Sequence, residues 1–105
     1  MNGLSTHVLD TSCGKPAANV RVRLYFEGRE IASALTNGNG RCPALLPEGV
    51  GLSAGTYRIV FETRDYFPDG FFPEVSISFT VRDTAAHYHV PLLISPFGFT
   101  TYRGS

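Results

Sequence analysis

The stretch from Tyr88 to Ser105 sets His89 in a segment patterned as a strand. It then passes from the apolar run Val90-Pro-Leu-Leu-Ile94 into Thr101, Tyr102, Arg103, Gly104 and Ser105. Chain ends usually fray, yet this one gathers hydroxyl, phenol, guanidinium and carboxylate groups, the donors and acceptors from which sites are built. The terminus reads as a placed element.

Two further regions can join it. His7 lies in the first strand pattern, and His87 and His89 lie at the start of a late one. A sandwich can bring first and last strands together. Period two puts His87 and His89 on one face of their strand, with Tyr88 and Val90 on the other. A His-x-His pair with a distant third His has the ligand number of a catalytic zinc site with one open position. Against it stand the permanent charge of Arg41, which opposes a dication in the same pocket, and the scarcity of nearby carboxylates beyond Asp10 and Asp83. No metal and no cofactor are expected. Taken singly, each His is a surface or hydrogen-bonded strand residue, Arg41 a solvated loop charge and Tyr102 an interface aromatic; only their coincidence argues for a site.

Positioning these groups falls to β structure, because helical periodicity is nearly absent and alternation recurs between turn signals. Leu4 to Leu9 reads as a first strand, closed by a turn-prone stretch from Asp10 to Pro16. Val20 to Phe26 alternates apolar and polar residues, Glu27-Gly28 turns the chain, and Ile31 to Thr36 follows as far as the tandem Asn-Gly signals Asn37-Gly-Asn-Gly40. Leu45 to Ser53 is irregular. Tyr57 to Glu62, Val75 to Arg82, Tyr88 to Leu93 and Phe99 to Arg103 supply the remaining strands, and Pro68, Gly70 and Pro73 leave residues 64–73 room for at most a very short helix. The expectation is an all-β, two-sheet sandwich of seven to eight short strands, in one domain over residues 1–105.

Composition narrows the partners. Nine basic and nine acidic residues cancel, and the arginines are scattered, which argues against a nucleic-acid footprint. No run approaches the roughly 18 apolar residues of a membrane span, and no leader pattern opens the chain. Two cysteines, Cys13 and Cys42, are too few for a disulfide framework. Reduced thiols in a cytoplasmic protein are the expectation, with a single Cys13–Cys42 bridge as the alternative and a periplasmic setting if a leader was removed.

Several strings carry a resemblance over practically the whole chain. They are Leu4-Ser-Thr-His-Val-Leu-Asp-Thr11 with Gly14-Lys-Pro-Ala17, Thr36-Asn-Gly-Asn-Gly-Arg-Cys42, Ala54-Gly-Thr-Tyr-Arg58, Phe71-Phe-Pro-Glu-Val75, Tyr88-His-Val-Pro-Leu-Leu93 and Tyr102-Arg-Gly-Ser105. Together they resemble the transthyretin-related 5-hydroxyisourate hydrolases. The resemblance implies a transthyretin-like sandwich that dimerises edge to edge and pairs again into a homotetramer, with active sites in a channel between the dimers. By the same resemblance, His7, Arg41, His89 and Ser105 match the catalytic positions. Arg41, Tyr102, Arg103 and Gly104 are assigned to substrate binding, and His87 matches no catalytic position. Family members usually carry a longer, helical segment in place of residues 64–73, which puts local edge protection in question rather than catalysis.

The implied reaction is metal-independent hydrolysis of 5-hydroxyisourate to 2-oxo-4-hydroxy-4-carboxy-5-ureidoimidazoline in urate degradation. Opening the ring requires a base for water, a donor for the tetrahedral oxyanion and an acid for the departing nitrogen. Histidine and arginine suit these tasks, and His7 with His89 is read as one coupled unit. The alternative is a small-ligand carrier of the thyroid-hormone type on the same sandwich, whose family members lack the His, Arg and Tyr-Arg-Gly-Ser set retained here. A cell-surface adhesion sandwich is the structural-class rival, disfavoured by the missing leader and disulfide framework.

Overall fold

The computed structural model describes residues 3–105. Where the sequence alternates the chain extends, giving β1 (Leu4–Asp10), β2 (Lys15–Pro16), β3 (Arg21–Phe26), β4 (Arg29–Leu35), β5 (Arg41–Cys42), β6 (Gly55–Glu62), β7 (Glu74–Val81), β8 (Tyr88–Ser95) and β9 (Gly98–Thr101). One sheet runs β2-β1-β8-β9, with β5 also paired to β1; the other runs β4-β3-β6-β7. The architecture is the expected all-β sandwich. Seven of its strands are at least four residues long, and β2 and β5 are two-residue rungs on the outer edge of β1. A two-residue strand has no alternation to detect, so both lie in stretches that read as turn or loop. Residues 64–73 form turns and no helix, tied back where the Thr63 and Arg64 amides donate to the Pro73 carbonyl.

The two sheets meet through one face of each. Leu4, Thr6 and Val8 of β1 and Leu92 of β8 are fully buried against Val22 and Leu24 of β3 and Ile59 and Phe61 of β6. Each large apolar side chain so covered contributes roughly 1.5–3 kcal/mol. Thr6 is tolerated there because its hydroxyl donates to the Val90 carbonyl at 2.5 Å. Phe26, Tyr57, Phe79 and Tyr88 form a chain of aromatic contacts at one end of this core, with centroids 4.7, 5.8 and 6.4 Å apart.

Burying Leu4, Thr6 and Val8 turns Ser5 and His7 to the opposite face of β1, since successive side chains alternate. The parallel register of β1 on β8 makes Ser5 the Cα partner of His89, and the antiparallel rung β5 makes His7 the partner of Arg41. First strand, last long strand and mid-chain loop thus converge on one outer sheet face. Register alone produces this convergence.

Candidate functional site

Arg41 is delivered by the tandem Asn-Gly turn. The Asn37 side-chain oxygen accepts from the amides of Asn39 and Arg41 at 2.9 and 3.0 Å, and the Asn37 carbonyl accepts from the Gly40 amide at 2.9 Å. Gly40 sits at φ +73°, where a Cβ would run into the Val8 carbonyl oxygen. Only glycine lets the turn press this closely on β1 while the Gly40 carbonyl accepts from the Val8 amide at 2.7 Å.

His89 is held on two sides. Its Nδ1 lies 2.8 Å from the Ser5 hydroxyl, and the same oxygen lies 3.0 Å from Nε2 of His87. On the other side the Gly104 amide donates to the His89 carbonyl at 2.8 Å in an isolated antiparallel bridge. A Cβ on Gly104 would stand 2.6 Å from Cδ2 of the His89 ring, so the missing side chain is what allows the tail to lie against the imidazole. With Nδ1 at Ser5, Nε2 is the nitrogen left for a bound molecule. Tyr88, between the two histidines, faces the core and fastens the preceding turn: its hydroxyl accepts from the Asp83 amide at 3.2 Å and donates to the Asp83 carbonyl at 3.1 Å.

These residues border a cleft of about 240 Å³ lined by Ser5, Thr6, Arg41, Pro43, His87, His89 and Ser105. His7 stands beside it as the cross-strand neighbour of Arg41. Burial lowers the pKa of His7 from its ordinary value, the Arg41 charge lowers it further, and a contact with the Asn39 carbonyl partly opposes them. His89 is lowered by burial first, then by Arg41, His7 and His87, with the Ser5 carbonyl acting in the other direction. Both rings are therefore kept neutral, able to accept a proton, beside a permanent cation. Among the described residues no group of three or more His, Cys, Asp or Glu side chains is arranged to hold a metal ion. Cys13, exposed, and Cys42, buried, are both free thiols, and burial pushes the Cys42 thiol up to about 11.

Of the residues singled out from sequence, Arg41, His89 and Ser105 share the cleft, His7 adjoins it, and Gly104 backs His89. Tyr102 and Arg103 go elsewhere. They line a second cleft, about 170 Å³, with Ile77, Phe79, Thr80, Tyr88, Val90 and Thr101, and the Arg103 guanidinium lies 4.4 Å from the centroid of the Tyr88 ring. Four of the residues lining the first cleft lie outside that set: Ser5, Thr6 and Pro43, which the sequence does not single out, and His87, which matches no catalytic position. The available signal was period two, for Ser5 stands two before His7 and His87 two before His89.

Residues 4–104 match the model of the HIUase/Transthyretin family. A 5-hydroxyisourate hydrolase of Rhizobium meliloti is 46% identical over 97% of this chain and 95% of that protein. The structure of Klebsiella pneumoniae 5-hydroxyisourate hydrolase superimposes with a TM-score of 0.90 at 39% identity, covering 100% of both chains. Sea bream transthyretin, solved in complex with thyroxine, superimposes with a TM-score of 0.88 at 28% identity over 97% of this chain and 94% of its own.

Proposed function

The chain belongs to the HIUase/transthyretin family, and from that premise we propose that it hydrolyses 5-hydroxyisourate in urate degradation. The observation that carries this reading is the convergence of neutral His7 and His89 with cationic Arg41 on one sheet face, fixed by strand register. The near-equal superposition on hydrolase and hormone carrier leaves fold unable to separate the two activities. Identity favours the hydrolase, at 46% and 39% against 28%, and so does the chemistry of the cleft.

In this reading a neutral imidazole takes a proton from water as the oxygen bonds to a ring carbonyl carbon. The tetrahedral oxyanion develops its charge near the Arg41 guanidinium, whose attraction grows along the reaction path and so lowers the barrier. Collapse breaks the ring C–N bond, and the imidazolium returns its proton to the departing nitrogen, leaving a carboxylic acid on the opened product that gives its proton to solvent and ends as the carboxylate. His7, Arg41, His89 and Ser105 are assigned to this chemistry, with Ser105 closing the cleft and Gly104 setting the His89 ring. Tyr102 and Arg103, in the adjoining cleft, support the position of that tail.

The same proposal includes a homotetramer built from edge-to-edge dimers. It is supported by β7 and β9, each the outermost strand of its sheet, by the apolar cleft that residues of both line, and by the exposed Phe99 of β9. Light scattering tests it: the mass of four chains is expected, and a monomer would refute it. A cytoplasmic setting is proposed on the two free thiols. For the activity itself, freshly generated 5-hydroxyisourate should lose its ultraviolet absorbance faster when purified protein is added. Decay at the spontaneous rate would reject the hydrolase reading.

A further inference from the structure

Ser5 has no place in the reaction as written, yet it touches more of the site's titratable groups than any other hydroxyl. Its oxygen lies 3.0 Å from Nε2 of His87 and 2.8 Å from Nδ1 of His89, and the residue is 5% exposed. Of the two rings it bridges, His87 is exposed to solvent and His89 half-buried. A hydroxyl has one proton to give and two lone pairs, so it can donate to only one of these rings at a time.

Two arrangements follow. When His87 is neutral with Nε2 unprotonated, the hydroxyl donates to it and accepts from Nδ1–H of His89, so His89 presents an unprotonated Nε2, the form that takes a proton from water. When His87 carries a proton on Nε2, the hydroxyl accepts there and turns its own proton toward Nδ1 of His89. A neutral His89 then holds its proton on Nε2, and the base is lost. The Ser5 carbonyl is also in contact with the His89 ring.

We propose that Ser5 is a positioning residue that couples the two rings, so that the protonation state of solvent-facing His87 selects the tautomer of His89. The remaining charged and titratable groups around the pair are His7 from β1, Arg41 from β5 and the chain end at Ser105, with Asp83 in the turn before His87. Asp83 is occupied locally, since its Oδ1 accepts from the Ala85 amide at 2.9 Å. For its effect on turnover the proposal rests on the hydrolase reading; its principal test does not.

Nitrogen-15 shifts of the His89 ring report the tautomer directly in the free protein. Nε2 of His89 should pass from acceptor to donor when His87 Nε2 takes up a proton. The transition should disappear in Ser5→Ala and in His87→Phe and persist in Ser5→Thr, which keeps the hydroxyl. Turnover of Ser5→Ala should fall about tenfold or more with KM little changed, since a base that loses its orientation in a positioned site can cost up to roughly 10²-fold. Identical His89 tautomer populations in wild type, Ser5→Ala and His87→Phe at every pH would overturn the coupling. If Ser5→Ala does not fold, the exposed substitution His87→Phe carries the comparison. An active wild type with an unresponsive His89 refutes the coupling alone, whereas a responsive His89 in a protein that leaves 5-hydroxyisourate untouched refutes only the hydrolase reading.

Discussion

Two clefts flank β8, one gathering imidazole, guanidinium and hydroxyl groups and the other lined mainly by apolar and aromatic side chains. His87 and His89 face the first, with Ser5, Arg41 and Ser105; Tyr88 and Val90 face the second, with Ile77, Phe79, Tyr102 and Arg103. The C-terminal tail beyond β9 is divided as well: Tyr102 and Arg103 together go to the apolar side and Ser105 to the polar side. The period-two backbone thus lets a short stretch anchor itself and furnish a site at once. Damage on the polar side should therefore appear in rate, and damage on the apolar side in stability.

The strongest way to break this division is to remove an imidazole. His7→Ala or His89→Ala should lower kcat/KM by roughly 10²-fold or more, the scale of lost general acid–base help. Both side chains are half-buried on an outer face rather than in the core, so the melting temperature should move little. A variant that loses stability instead of rate would show that the polar cleft is structural.

Gly104 tests the boundary between the clefts. Alanine there would place its methyl 2.6 Å from Cδ2 of His89 and 3.3 Å from a Pro91 ring carbon, and the imidazole, held at Nδ1 by Ser5, would have to leave that hydrogen bond. A displacement near 1 Å in a positioned site costs up to roughly 10²-fold in rate. Gly104→Ala should thus lose one to two orders of magnitude in turnover, and wild-type turnover would mean that the tail does not position His89.

Much of this is legible in the amino-acid sequence. Seven strands, the turn at 37–40 and the shared face of His87 and His89 all follow from patterns that the chain writes locally. Glu27 and Gly28, at φ 49° and 87°, close the two-residue hairpin between Phe26 and Arg29 with the geometry such a turn demands. What stayed hidden is pairwise. The register that sets Ser5 beside His89 is fixed by contacts between residues far apart in sequence, so a hydroxyl in the first strand carried no local mark of its two partners. The separation of Tyr102 and Arg103 from Ser105 is equally unreadable, because a contiguous motif suggests one destination and the turn of the backbone beyond β9 leaves no periodic mark.

The pH profile sharpens the electrostatic half of the comparison. Burial first and Arg41 second lower both His7 and His89 below the ordinary 6.5, so their neutral, proton-accepting forms persist on the acid side of that value. The acid limb of the activity set by these two rings should therefore lie below that of an ordinary imidazole, with activity falling as His7 and His89 are protonated. The sign for stability is the same: depressed folded-state values give a contribution that is present above the unfolded pKa and lost as pH falls through the folded ones. Arg41→Gln removes one of the depressing charges, so the acid limb of its residual activity, and the titration of both rings by NMR, should move up toward 6.5. An unmoved limb would detach Arg41 from the histidines.

The smallest expected effect separates the two clefts most cleanly. Arg103 belongs to the same terminal motif as Ser105, but its guanidinium lies 4.4 Å from the centroid of the Tyr88 ring, over an apolar lining that includes Ile77, Phe79 and Val90. A cation over an aromatic face at a partly exposed site contributes about 0.5–1 kcal/mol, and its aliphatic stem adds cover to the same ring. Tyr88 in turn fastens the Asp83 turn and separates His87 from His89, so the loss reaches the polar cleft only through a slightly looser anchor. Arg103→Ala should therefore lower the melting temperature by a few degrees, with a modest fall in kcat and an unchanged KM. Arg103→Lys keeps the charge but not the planar stacking group and should behave nearly as alanine does. A large rise in KM at unchanged stability would place Arg103 on the substrate and erase the line between packing cleft and reaction cleft.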